Sequence, residues 1–249
     1  MPKRLLPYIC IALLFTACHA PVQYQSYEYR QYSVHETAAD PQTEKMIAPY
    51  RSSIEEEMNE VIGFSETAMP KVRGEAETVL GNFVADLVLQ SARQRTQQTV
   101  DLCVLNDGGF RTSLPQGAVT RGNVFELMPF ENELVILTLS YPILQKLLNY
   151  IAQTGGQPVS GLRMTIRDGK PADVTINGQE ADPSGIFRVV TSDYLANGGD
   201  NMSFLSEATS TVQLSYKLRD AIIDHILSEQ RAGRKINAAL DQRIHIIKQ

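Results

Sequence analysis

The run Val189-Val190-Thr191-Ser192-Asp193-Tyr194-Leu195-Ala196-Asn197-Gly198-Gly199-Asp200-Asn201 constrains the fold of this chain more than any other segment. Its apolar, β-branched entry reads as a buried strand. The strand breaks at Asn197-Gly198-Gly199, a turn that needs positive φ or a close approach of backbone. Tyr194 and Asp200 flank the break. One offers a flat aromatic face and the other a carboxylate with two acceptor oxygens. Such a pair can clamp a small polar ligand. On this stretch alone, an ordinary turn capped by Asp200 is the simpler reading.

The same pattern recurs upstream. A strand over Val100 to Leu105 leads into Asn106-Asp107-Gly108-Gly109-Phe110-Arg111, a glycine turn with a guanidinium beside it. Arginine presents a planar fork suited to phosphate or carboxylate. Gly122-Asn123-Val124-Phe125-Glu126-Leu127-Met128-Pro129-Phe130-Glu131-Asn132 follows, with Asn123 as the expected cap of a short helical turn that Pro129 stops. Phe130 then lies on a loop before a strand over Leu134 to Leu139.

Helical periodicity marks the rest. Thr43 to Ile62 reads as a helix with Ile47, Ile54, Met58 and Ile62 on one face. Leu80, Val84, Leu87 and Val88 mark a second, with Asn82 as its expected cap and Asp86 facing solvent or an intrahelical partner. Ser140-Tyr141-Pro142 opens a third, ended by Gly155-Gly156. Leu162 to Arg167, Val174 to Ile176 and the turns at Asp168-Gly169 and Asn177-Gly178 read as a meander of hairpins. Leu218, Ala221, Ile222 and Ile226 mark a closing helix, with His225 as a packed or surface imidazole. The expectation is one α+β domain over 43–249, with α/β-type layers and mixed sheets flanked by helices.

The N-terminal segment reads differently. Lys3 and Arg4 precede an apolar run, Leu5 to Thr16, too short to span a bilayer as a mature helix. Leu14-Phe15-Thr16-Ala17-Cys18 resembles a bacterial lipobox, with Phe15 where leucine is preferred. The expectation is a signal peptide over 1–17, a lipidated Cys18, and a tyrosine-rich tether over 18–42, with a possible edge strand near Tyr29 to Val34. Several acyl chains anchor a protein firmly. His19, rather than an aspartate, follows Cys18; by resemblance to enteric sorting rules this implies the outer membrane, facing the periplasm. The mature chain would carry 21 basic against 28 acidic residues, a net −7, so nucleic acid is not an expected partner. Cys103 would be its lone unmodified thiol, best read as a small buried hydrophobe.

Three motifs now stand in order: Asn106 to Arg111, Gly122 to Phe130, and Ser192 to Asp200. Together they resemble the C-terminal, substrate-binding domain of the 5'-nucleotidase family. Leu80-Gly81-Asn82-Phe83-Val84-Ala85-Asp86 resembles that domain's opening helix, and the likeness covers roughly Thr43 to Leu227. The resemblance implies a nucleoside or nucleotide ligand whose base stacks between Phe130 and Tyr194. It implies that Asp200 accepts hydrogen bonds from ribose hydroxyls, and that Asn106 and Arg111 reach toward sugar and phosphate. Gly108, Gly109, Asn197, Gly198 and Gly199 complete the implied binding set by letting backbone come close. The chain departs from the pattern at three places. Asp107 stands where glycine is common, Tyr194 where phenylalanine is usual, and Ala76, near Glu77, where a further substrate arginine aligns; Arg73 is the nearest stand-in.

Full-length relatives also carry an N-terminal metallophosphatase domain whose two metals activate a water. His19, His35, His225 and His245 are this chain's histidines, and none lies in an Asp-x-His or Gly-Asn-His motif. No metal or other cofactor, and no catalytic residue, is therefore expected in this chain, the divalent metals belonging to a separate metallophosphatase subunit. Two readings stand. One is the nucleoside-recognition half of a 5'-nucleotidase-type hydrolase that needs that partner for phosphate ester hydrolysis. The other is a non-enzymatic nucleoside-binding lipoprotein of the bacterial envelope. A scaffold that keeps the fold without a ligand is a third.

Overall fold

Three apolar runs set the architecture seen in the computed structural model, which describes Tyr32, Ser33 and residues 40–247. The expected signal peptide, Cys18 and nearly all of the tether lie outside the described residues; Tyr32 and Ser33 belong to no element. Two units are distinguished, Met1–Lys45 and Met46–Gln249. Among the described residues no helix is long and apolar enough to cross a membrane.

The runs Leu102–Val104 (β2), Glu133–Ser140 (β4) and Ile186–Ser192 (β9) form the middle of a five-stranded sheet, completed by Val159–Ser160 (β5) and Ser210–Lys217 (β10). Its order is β10-β4-β9-β2-β5. β9 pairs antiparallel with β4 and parallel with β2, so the sheet is mixed. Alternate side chains serve two different cores. Cys103, Leu134, Ile136 and Val190 join one; Leu102, Val104, Val135, Leu137 and Val189 join the other. A sheet covered on both faces has no polar face, which is why these strands read as continuous apolar runs. Each such side chain, fully buried, contributes about 1.5–3 kcal/mol.

Helices Val79–Arg95 (α2), Arg121–Leu127 (α3) and Leu218–Arg231 (α6) supply the first core. Helix Tyr141–Gln153 (α4) supplies the second through Leu144, Leu147, Leu148 and Ile151. Its partner there is a second sheet, with Leu162–Arg167 (β6), Lys170–Ile176 (β7) and Gln179–Glu180 (β8) forming the expected meander. Ile244–Ile247 (β11) adds to β6 in parallel, a strand absent from the sequence expectation. Val61–Ser65 (β1) and Gly117–Thr120 (β3) form a separate antiparallel pair.

Several boundaries differ from expectation. The first helix, α1, spans Pro41–Met58 and buries no residue; Ile47 and Ile54 are exposed. Ile62, expected on its face, is a buried strand residue of β1. Arg121 explains the break: its side chain pairs with Glu60, its amide donates to the Glu60 carbonyl at 2.9 Å, and this turns the chain from helix into strand. Thr78, rather than Asn82, caps α2, its hydroxyl accepting from the Gly81 amide at 3.0 Å, a cap worth about 1 kcal/mol. Asn82 is buried inside the helix and donates to Glu77 and to the Ala239 carbonyl. Thr120 caps α3, and Asn123 returns the bond to the Thr120 amide at 3.0 Å in a capping box. Asp86 faces neither solvent alone nor its own helix. It accepts from Ser160 at 2.6 Å and from Arg243 at 2.7 Å.

Candidate functional site

Sheet topology brings three loops to one edge. β2 and β9 run parallel, so the chain leaves both at the same end of the sheet. β4 runs antiparallel between β9 and β10, so the loop that enters it lies at that end too. Loops beyond the carboxyl ends of parallel strands are where open sheets place ligands. The Thr191 hydroxyl donates to the Val104 carbonyl at 2.7 Å and ties β9 to β2 just before the two loops begin.

Between the loops lies a cavity of about 340 Å³ lined by Asn106, Gly108, Gly109, Arg111, Phe130, Asn132, Tyr194 and Asp200. That volume lies at the small end of ligand sites, which run to about 300–1,000 Å³. Phe130 is 41% exposed and Tyr194 44% exposed. Rings that far out of the core are open to a further partner.

Asp200 is the most tightly held group. Tyr194 stands in the one-turn helix Asp193–Ala196 (α5), capped by the Ser192 hydroxyl. Gly198 follows at φ +92, and Asp200 itself is left-handed at φ 50, ψ 36. That conformation is uncommon outside glycine, and Asp is among the residues that tolerate it. It turns the carboxylate back, where Oδ1 accepts from the Tyr194 hydroxyl at 2.8 Å and Oδ2 from Asn106 Nδ2 at 2.6 Å. The Tyr150 hydroxyl, from α4, donates to the Asp200 carbonyl at 2.7 Å. The hydrogen bond to Asp200 holds the Tyr194 phenol above its ordinary pKa; burial, then the Asp200 charge, does the same for Tyr150.

The opposite wall is also braced. Phe130 sits between Met128 and Asn132 on a loop pinned from below by α6. Arg219, 5% exposed, pairs with Glu131, reaches the Met128 carbonyl at 3.4 Å and lies 4.1 Å from the Phe125 ring centre. Lys217 pairs with Glu131 as well. The hydrogen bonds from Lys217 and then Arg219 pull the Glu131 carboxyl down to about 2. Arg111 stands 5.9 Å from the Phe130 ring centre, and its guanidinium makes one long contact, to the Gly108 carbonyl at 3.3 Å. It keeps most of its donors free for an anion.

Of the residues singled out in the sequence, Asn106, Gly108, Gly109, Arg111, Phe130, Tyr194 and Asp200 meet at this cavity. Gly199 stands behind it, where a Cβ would come within 2.5 Å of the Tyr194 ring. Asn197 and Gly198 shape the turn without lining the cavity; the Asn197 amide closes α5 on the Asp193 carbonyl at 2.9 Å. Asp107 pairs with Lys71, so the acid in place of the common glycine has a cation beside it. Arg73 is exposed and does not line the cavity. Sequence reasoning missed Asn132, Tyr150 and Lys71. Asn132 closes the quoted stretch and had a local signal; Tyr150 and Lys71 come from distant elements and had none. Among the described residues no group of three or more His, Cys, Asp and Glu side chains is arranged to hold a metal ion.

The sheet edge, three converging loops and two half-exposed rings mark a candidate site on a domain of α+β class, and the comparisons place that domain. The model of the 5'-nucleotidase C-terminal domain matches residues 61–207, more than half of the chain, and the chain belongs to that family. A trifunctional nucleotide phosphoesterase protein, YfkN of Bacillus subtilis, is 27% identical over 84% of this chain and 15% of its own length. Protein UshA of Escherichia coli is 25% identical over 73% of this chain and 33% of its own. The crystal structure of a 5'-nucleotidase precursor from Thermus thermophilus superposes with a TM-score of 0.71 at 26% identity, covering 83% of this chain and 43% of that one. The chain therefore spans a third or less of the length of these curated relatives.

Proposed function

We propose that this chain is the nucleoside-recognition half of a 5'-nucleotidase-type hydrolase, and that hydrolysis of the phosphate ester takes place when a separate metallophosphatase subunit supplies the divalent metals. The observation that carries the reading is the cavity lining: seven of its eight residues come from the three motifs that resemble the family. In this reading the base stacks between Phe130 and Tyr194, a contact worth about 1–3 kcal/mol per ring. Asp200 accepts from the ribose diol, and Arg111 and Asn106 face the sugar and phosphate side. Asn132, at the rim beside Phe130, offers an amide to the base edge. Lys71 supports this by neutralising Asp107, which would otherwise repel a phosphate.

The partner surface in this reading is α1. Met46, Tyr50 and Ile54 stand one turn apart on one face and are more than half exposed, immediately before the region that the family model matches. Lipidation at Cys18 would hold the assembly at the bacterial outer membrane, facing the periplasm.

The test is AMP hydrolysis with divalent metal. The chain alone is expected to be inactive and to gain activity when a metallophosphatase domain of the family is added. Hydrolysis at enzymatic rates by the purified chain would end the split-enzyme reading. The second reading is a non-enzymatic nucleoside-binding lipoprotein. It predicts the same nucleoside binding with no activity beside any such domain.

A further inference from the structure

Tyr194 differs from a phenylalanine by one oxygen, and that oxygen makes two hydrogen bonds to Asp200. It donates to Asp200 Oδ1 at 2.8 Å and accepts from the Asp200 amide at 3.2 Å. The ring that carries it is backed by Gly199, where no side chain would fit: a Cβ would lie 2.5 Å from two of its carbons. We infer that the Tyr194 hydroxyl is a latch that positions the Asp200 carboxylate, and that through it the cavity selects a ribose with both hydroxyls over a 2'-deoxyribose. The inference rests on the nucleoside reading above and adds the sugar selectivity and the group that sets it.

The argument is one of acceptor capacity. A carboxylate offers about four lone-pair directions. Tyr194 and Asn106 each take one, on opposite oxygens, which fixes the plane of the group. One acceptor direction is left on each oxygen of a side chain that lines the cavity. Two hydroxyls on adjacent carbons present two donors to match. An unlatched carboxylate would have to be ordered by the ligand, at an entropic cost taken from affinity. A ligand lacking one hydroxyl leaves one acceptor direction of the carboxylate without its matching donor, a mismatch that discriminates between the two sugars.

The experiment is calorimetric titration of the full mature chain with adenosine, 2'-deoxyadenosine and adenine. Wild type is expected to prefer adenosine to 2'-deoxyadenosine by about tenfold or more, the scale of one hydrogen bond to a charged group. Tyr194→Phe keeps the stacking ring. The adenosine preference should then fall to about threefold or less, chiefly through weaker adenosine binding. Asp200→Asn should lower the preference too, and adding Tyr194→Phe to it should change nothing further. Circular dichroism checks that each variant is folded, and the Asp200→Asn arm decides the matter should Tyr194→Phe fail to fold. An unchanged preference in Tyr194→Phe, or tighter adenosine binding, would overturn the latch while leaving nucleoside recognition intact. Wild type that binds adenine, 2'-deoxyadenosine and adenosine alike would overturn the sugar selectivity alone. Absence of binding to all three would remove the nucleoside reading and the latch with it.

Discussion

Two polar clusters in this protein each hold an arginine and an aspartate and have opposite character. Around Arg243 the guanidinium is buried and its donors are taken up inside the cluster. Its guanidinium, on a side chain 9% exposed, donates to Asp86, to Asp241 and to the Val159 carbonyl, with Glu77 at 4.0 Å and the Ser160 hydroxyl on Asp86. Those carboxylates raise the Arg243 pKa against its burial and keep it charged. Around Asp200 the network stops short. The carboxylate is gripped at both oxygens yet keeps acceptor capacity, Arg111 keeps most of its donors, and two rings stay half exposed. A saturated cluster can only hold elements together. One with fixed groups and spare valences can hold a ligand. What separates a strut from a site here is the remainder after internal bonds are counted.

That contrast can be broken by substitution. Arg243→Met should have the largest effect on stability. It leaves the half-exposed Asp86 and Asp241 without their cation and breaks several charged hydrogen bonds, a loss of about 1–3 kcal/mol. Thermal melts should drop by several degrees, and adenosine affinity should be unchanged. Phe130→Ala should do the reverse, lowering adenosine affinity by about 1–3 kcal/mol in calorimetry with little change in melting. Arg219→Met should act between the two, loosening the Phe130 loop and weakening adenosine binding by about fivefold while adenosine remains a ligand.

The Glu131 clasp sharpens the comparison through pH. Its folded pKa, about 2, is depressed from an ordinary 4.5 by Lys217 and Arg219. A depressed carboxyl stabilises the fold fully above its unfolded pKa, and that contribution is lost as the pH falls through the folded value. Urea stability should therefore fall more steeply in wild type than in Glu131→Gln between about pH 4.5 and about pH 2. The smallest effect is expected at Lys146 and Glu207, an exposed pair at 2.7 Å. Lys146→Ala should change stability by about 0.5 kcal/mol or less.

The candidate-site end of the molecule was legible in the sequence because its signals are local. A β-branched run followed by paired glycines records a strand and its abrupt end within a dozen residues, and the first and third motifs carry that signature. Sheet pairing then brings their tips together, something no single motif states. The Arg243 cluster left no trace, since its partner Asp86 lies 157 residues away and looks like an ordinary helical surface acid. The end of α1 was missed for a related reason. Ile62 continues the helical spacing of Ile54 and Met58, but Arg121 captures Glu60 and turns the chain into β1. Residue type alone points to Asn82 and Asn123 as caps, where the threonines ahead of them, Thr78 and Thr120, cap instead.

The account turns on Phe130 and Tyr194 being the two walls of one purine-wide slot. A crystal structure of the chain grown with adenosine measures this directly. The account predicts the base lying between the two rings, its ribose hydroxyls on the Asp200 carboxylate. Adenosine held elsewhere, for example in the wider groove lined by Tyr141, Asn149 and Asp173, with the two rings untouched, would contradict it.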